Sequence, residues 1–397
     1  MKVLKNFLII FLMLIIYAYF ISIEFLPNEI TLLSGEKYSI KTLYGVDTIA
    51  TSKTGASSSE KIDVDIQLFG KINLKTISVN ILDDIEVVPI GKIIGLKLYT
   101  NGVLIVGMSE IENIENQLER PFENVDIREG DTIIKVNETE IDSIESLQNE
   151  VNNSNGESIN LTLVRNGTIL TSNIIPTQTE ENEYKLGLWV RDAATGVGTV
   201  TYYEPKSKQF AALGHGITDI DTNKLIDIES GQLVTSNIVS IKKGEAGSPG
   251  EIKGSILNQT TIGNVNKNSI FGIYGQLTNL TSLNIDTSKT VKVALRNEIK
   301  TGEAKVICNI DGRQTKEYSI NIDKIYLDND SSNKSFIIRV TDKELIDKTG
   351  GIIRGLSGAP IIQNGKFIGA ITNVLVQNPQ IGYGVFADLM IKEMKKQ

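Results

Sequence analysis

Residues 86–107 read EVVPIGKIIGLKLYTNGVLIVG, and the layout of the whole chain turns on how this run is divided. It is apolar and rich in β-branched residues, broken once by Asn101-Gly102. Asn-Gly between apolar runs is the strongest short hairpin signal, so two strands joined at 101–102 are expected. On its N-terminal side, ITLLSGEKYSIKT, KIDVDIQLFG and KINLKTISVNIL alternate polar with apolar residues. That period of two marks half-buried strands, here a small β domain over 27–85. TSKTGASSSEK (51–61) reads as its exposed loop.

Further upstream, Lys2 and Lys5 precede an apolar run from Phe7 to Ile23. At ~1.5 Å per residue it reaches about 26 Å, close to a bilayer core of roughly 30 Å. It is long for the core of a cleaved signal, and no A-x-A site follows. Residues 1–26 are therefore expected to be a retained membrane anchor, with a removed signal peptide as the alternative. The lysines should stay cytoplasmic and everything after Glu24 should lie beyond the membrane.

Composition excludes several chemistries. The 397 residues carry a formal charge of −8 and no long basic block, so nucleic acid is not an expected partner. Cys308 is the single cysteine, which forbids an intrachain disulfide. His215 is the single histidine, so a zinc site of the usual Cys/His kind is not expected, and no cofactor or metal is implied.

After the opening stretch come VDIREGDTIIKVNETEI, then SIESLQNEV with helical spacing, then SINLTLVRNGTIL as a second hairpin. IREGDTIIKVNETEI (127–141) makes residues 86–178 resemble a PDZ domain. Such domains add an extended peptide to a sheet edge. The resemblance puts a carboxylate-binding loop on IIGLKL (93–98), with Ile94, Gly95 and Leu96 as the peptide-binding residues.

TQTEENEYK (177–185) has the polarity of a linker. Residues 186–397 then carry many short strand-like runs, among them GTVTYYEP, KQFAALG, AKVICNI, FIIRVT and IGYGVFA. Strands at this density with Gly turns predict an all-β barrel or sandwich, closed by a short terminal helix in FADLMIKEMKKQ.

Two short motifs there carry chemistry. In GLSGAP, Gly355 and Gly358 permit a sharp turn that lifts the Ser357 hydroxyl out of the backbone. The N–H groups of Gly355 and Ser357 are placed to form an oxyanion hole. GxSGxP is the local pattern of chymotrypsin-like serine proteases, and PIIQNGKFIGAITNV supplies the strand–turn–strand that follows it. A serine hydroxyl needs a base, and His215 in AALGHGITDIDT is the one imidazole on offer. The order His then Ser is the chymotrypsin order. For the acid that orients the imidazole, spacing leaves Asp219, Asp221, Asp323, Asp342 and Asp347 open, with turn chemistry the better reading of Asp219 and Asp221.

TGVGTVTYYEPKSKQFAALGHGITDIDT (195–222), KKGEAGSPGEIKGSI (242–256), FGIYG (271–275) and the 349–390 stretch around GLSGAP resemble the SpoIVB peptidase family, the stage IV sporulation protein B proteases. The resemblance spans membrane segment, PDZ domain and peptidase domain in order. It implies a mainly β serine endopeptidase with a chymotrypsin-like barrel over 186–397 and a triad of His215, Asp342 and Ser357. It further implies export across the forespore membrane into the intermembrane space and self-cleavage near the N-terminus. Cleavage of an extracytoplasmic part of a membrane complex would follow, triggering intramembrane proteolysis and activation of a late sigma factor. Where relatives often have a histidine in THV, this chain reads ITNV with Asn373, leaving His215 as the one possible imidazole base.

Overall fold

The computed structural model describes residues 84–256, 260–311, 314–327 and 331–396, the strands between 29 and 82, and five positions among the first 26. The expected anchor over 1–26 and the loop 51–61 thus lie almost wholly outside the described residues. Among the described residues, no helix is long and apolar enough to cross a membrane.

In the N-terminal region, residues 72–82 pair antiparallel with 61–68 and parallel with 29–33, and 37–41 pairs with 47–51. The alternation is kept: Ile66, Ile77 and Val79 are buried. On the opposite face, Thr76 and Ser78 hydroxyls donate to Asp65 and Asp63.

β1 (Glu86–Met108) runs 23 residues without turning back. The hairpin expected at Asn101-Gly102 does not form. A two-residue type I′ turn needs positive φ at both residues, and only Gly102 (φ 94°) has it. Gly102 instead lets a neighbouring strand approach, since a Cβ there would sit 2.4 Å from the Ile133 carbonyl oxygen. Where the dipeptide does turn, both residues are left-handed: Asn166 (φ 50°) with Gly167 (φ 79°), and Asn364 (φ 52°) with Gly365 (φ 75°).

β1 therefore serves two bodies. Its C-terminal part joins β2 (Thr132–Val136), α1 (Ile144–Asn153), β3 (Ile159–Arg165) and β4 (Thr168–Ile174) in the PDZ region. The core there combines Val103, Ile105, Ile133, Leu161 and Leu163 with Leu147 and Val151 from one face of α1. β5 (Leu188–Glu204) then runs back along the whole of β1, from Leu188↔Met108 to Tyr203↔Val88.

Beyond the PDZ region this ribbon enters a ring with β6 (Gln209–Ala212), β7 (Ile228–Thr235), β10 (Thr261–Ser269) and β11 (Gly272–Leu277); β8 (Asn237–Lys242) and β9 (Glu251–Ser255) form a side ribbon. Ring pairing runs β1-β5-β6-β11-β10-β7 and returns to β1. A second closed barrel follows: β12 (Gly302–Cys308), β13 (Lys316–Ile325), β14 (Phe336–Val340), β17 (Asn378–Phe386), β16 (Lys366–Leu375) and β15 (Pro360–Gln363). α2 (Lys343–Thr349) links β14 to β15, and α3 (Ala387–Lys395) forms the expected terminal helix. Ile94, Leu96 and Leu98 fill the first barrel, while Val87 and Ile93 on the other face of β1 join the core of the second. The first barrel thus takes its first strand from upstream of the PDZ region, which is inserted between the first two barrel strands.

Ile94, Gly95 and Leu96 accordingly form no carboxylate loop. They pair with Gly198, Val197 and Gly196 on one side and with Thr235, Val234 and Leu233 on the other, so no strand edge is open to a peptide. A Cβ on Gly95 would lie 2.2 Å from Ile256 and 2.8 Å from Val234. Overpacking of this kind costs about 1–3 kcal/mol. Gly95→Val should lower the urea midpoint accordingly, whereas in an exposed loop it would leave the midpoint unchanged.

Candidate active site

His215 is carried out of the first barrel by a strained turn. Leu213 (φ 70°) and Gly214 (φ 68°) are both left-handed. For a bulky residue that costs about 1–2 kcal/mol and persists only where the surroundings enforce it. Here the Leu213 N–H donates to the Thr199 carbonyl at 3.1 Å and the Leu213 side chain is buried. The imidazole emerges half-buried, with Nδ1 2.8 Å from the Gly216 carbonyl oxygen. A carbonyl only accepts, so Nδ1 carries the proton and Nε2 presents a lone pair. Burial lowers the His215 pKa below its ordinary 6.5, and the bond to Gly216 opposes the shift.

The following loop is pinned on two sides. The Asn268 side chain accepts from the Ile217 N–H and donates to the Ile217 and Ile226 carbonyls. Asp219 accepts from the N–H groups of Asp221 and Thr222 and from the Thr222 hydroxyl, which is the turn role expected of it.

Ser357 sits in the turn entering β15. Gly355 (φ 102°) and Gly358 (φ 93°) flank it in backbone conformations that favour glycine. At Gly358 the constraint is also spatial: a Cβ would lie 2.3 Å from the Thr199 carbonyl oxygen and 2.4 Å from the Leu213 nitrogen. The serine turn and the histidine turn therefore touch backbone to backbone. Among the described residues, the N–H groups of Gly355 and Ser357 have no hydrogen-bond acceptor, which leaves both for a substrate oxygen. The Ser357 hydroxyl donates to the Thr372 carbonyl on β16 at 2.8 Å rather than to the imidazole.

His215, Ser357, Gly355, Thr372, Asn373 and Val374 line one cleft of about 410 Å³ between the barrels. β15 pairs with residues 366–370 of β16, and Ile371 is bonded on the same side to the Gly358 N–H and the Ala359 carbonyl, so the unpaired edge beside Ser357 runs from Thr372 to Leu375. An open edge can receive a substrate main chain. Apolar Ile352, Ile353 and Val374 form much of the wall.

Asp342 shares neither this cleft nor a hydrogen bond with His215. Its carboxylate caps α2, accepting from the Leu345 N–H at 3.1 Å and the Ser319 N–H at 3.3 Å. The structure thus brings together two of the three residues expected as a triad. The place of the orienting acid at Nδ1 is taken by the Gly216 carbonyl.

Sequence reasoning missed Thr199. It is fully buried on β5 and bridges both turns. Its N–H donates to the Ser357 carbonyl at 3.1 Å, its hydroxyl to the Gly355 carbonyl at 2.7 Å, and its own carbonyl accepts from Leu213. The run VGTVTYY carries two threonines, Thr199 and Thr201, and nothing local tells them apart.

The peptide groove was also misplaced. A groove of about 590 Å³ lies between α1 and residues 184–190, floored by Leu147, Val151, Leu186 and Leu188. Leu186-Gly187-Leu188 repeats the apolar-Gly-apolar pattern of Ile94-Gly95-Leu96, but here the second side of the strand is unpaired.

Two β-barrels meeting at a serine and a histidine, with a PDZ body inserted in the first, have the architecture of a serine peptidase. A family model for the SpoIVB peptidase S55 matches residues 182–391, and a PDZ model matches 96–175. The chain belongs to the SpoIVB peptidase family, a family of serine peptidases. Comparison with curated proteins gives no match.

Two outcomes are expected. Thr199→Val strands the buried Gly355 carbonyl, at about 1–3 kcal/mol. It should cut kcat/KM on a denatured protein substrate by about tenfold while the circular dichroism spectrum is unchanged. The pH profile should rise to a plateau through a midpoint below 6.5, because burial lowers the His215 pKa and the base acts when neutral. Stability follows the same sign: this contribution is fully present above 6.5 and is lost as pH falls from there towards the folded-state pKa.

Proposed function

We propose that this chain is a membrane-anchored serine endopeptidase of sporulation that acts on itself and on a protein substrate. The observation that carries the reading is the backbone contact between the Ser357 and His215 turns at the seam of the two barrels. In this reading the substrate main chain pairs along Thr372–Leu375 and places its carbonyl over Ser357. The Ser357 hydroxyl swings from the Thr372 carbonyl, giving up one hydrogen bond of about 1 kcal/mol. His215 Nε2 takes its proton as Oγ attacks. The N–H groups of Gly355 and Ser357 hold the oxyanion, a contribution of about 2.7–4 kcal/mol per donor. The imidazolium then protonates the leaving amine, and water releases the acyl group by the same relay. Asp342 serves indirectly, by fixing the helix whose end at Gly350 leads into the serine turn.

The biological setting rests on the family and on the N-terminal sequence. The lysine-flanked apolar segment anchors the chain in the forespore membrane with the barrels facing the intermembrane space. The chain cuts its own N-terminal region there, which releases the barrels. It then cleaves an extracytoplasmic part of a membrane complex, so that an intramembrane protease activates a late sigma factor. The groove beside α1 receives peptide during self-recognition or substrate delivery.

Full-length protein made without other proteases should shorten at its N-terminus over hours, followed by mass spectrometry. Ser357→Ala and His215→Ala should each stop the shortening and lower kcat by about a thousandfold or more. Equal trimming in Ser357→Ala would defeat the catalytic assignment. Undamaged downstream sigma-factor activation by both variants would instead mark the chain as a PDZ scaffold with a degenerate peptidase body.

A further inference from the structure

Two consecutive residues of β5 stand between the peptide groove and the catalytic loop. Successive side chains of a strand leave by opposite faces. Asp192 accepts from the N–H of Ile144, the first residue of α1, at 2.8 Å. Arg191 reaches Asp219 with Nη1 and Asp221 with Nη2, both in the loop that leaves His215. Asp219 is 1% exposed, and its other oxygen organises the turn at 219–222. A carboxylate that deeply buried depends on its cation. Burial works against its charge and is outweighed by the donors around it, Arg191 included, so it stays ionised.

The residues just before Arg191 are the groove itself. Gly187–Val190 form one wall and α1 the other. At the same point the ladder slips, from Arg191↔Leu104 to Ala193↔Tyr99, and the Thr100 hydroxyl bonds the Asp192 carbonyl at 3.0 Å across the gap. There the four β1 residues Thr100–Val103 lie opposite Asp192 alone, at the point where the two anchoring side chains depart.

We propose that Arg191 and Asp192 couple the groove to the active site. A peptide strand seated along Leu188–Val190 presses on α1, displaces the slipped segment of β5, and through Arg191 sets the position of the His215 loop. Arg191 is in this sense a positioning residue. The proposal rests on the reading of His215 as the base. The groove chemistry selects the kind of peptide. Its floor takes branched aliphatic side chains on alternate positions. Its rim carries Glu110, Glu112, Glu180 and Glu181 against Lys185. Arg120 pairs with Glu110 and Lys185 with Glu181, while Glu112 and Glu180 have no ion pair among the described residues. The matching ligand is an extended cationic strand.

The test uses the full chain and a six-residue peptide alternating valine and lysine. Because His215 is the only histidine, its ring Cε1–H gives a single NMR signal that needs no assignment to a residue. In Ser357→Ala protein, saturating peptide should move that signal. With Arg191→Gln added, the peptide should bind within about threefold as tightly, and the shift should shrink at least about fivefold, the low end of usual couplings. Asp192→Asn should give the same loss from the other arm, and Arg191→Lys a partial rescue. In the active chain the peptide should change kcat more than KM. Failure of the peptide to bind, a bound peptide that leaves the signal in place, or an equal shift in Arg191→Gln would each overturn the proposal. If the chain hydrolyses nothing yet the shift and its loss persist, the peptidase reading fails while the coupling stands.

Discussion

The ladder between β1 and β5 holds three bodies in register at once. One end supplies the floor and edge of the peptide groove, and the other end supplies two staves of the first barrel. Thr199 lies on it, with its polar groups spent on the serine and histidine turns. A one-residue slip of a strand exchanges its buried and exposed faces. Between Val87 and Leu96 both faces of β1 are buried, one in each barrel core, so a slipped register there is costly. The precision of the active site descends from that constraint.

The site is a contact between two turns rather than a cluster of polar groups. Its members meet because Gly358 has no side chain and Leu213 accepts an unfavourable backbone conformation. In this arrangement the serine hydroxyl bonds the Thr372 carbonyl, the imidazole is held by Gly216, and Asp342 caps a helix. The nucleophile and base thus lie within one cleft with the proton relay between them still to be made. The serine hydroxyl must leave the Thr372 carbonyl to make it, and the loop that follows the imidazole is tied to β5 through Arg191.

Local patterns were legible where local physics decides them. The alternating runs became strands, the terminal amphipathic run became α3, and two Asn-Gly turns became hairpins. Ser357 and His215 stood out because glycines bracket them and because the chain has one histidine. Asp342 was carried by resemblance alone, and capping geometry is invisible in a list of acids. Ile94-Gly95-Leu96 and Leu186-Gly187-Leu188 carry the same pattern, so nothing local separates a barrel stave from a groove edge.

By itself, then, the sequence determined the mainly β character, the PDZ and peptidase signatures, and which hydroxyl and imidazole were available. These follow from side-chain period, backbone permissiveness and counts. The tertiary structure alone decided that 86–107 is one strand, that the PDZ body interrupts the first barrel, and that Thr199 and Arg191 serve the site. The reason is pairing across large separations: the longest ladders of β1 are with residues 188–204 and 228–235. A turn signal worth at most about 1 kcal/mol cannot compete with a ladder of that length.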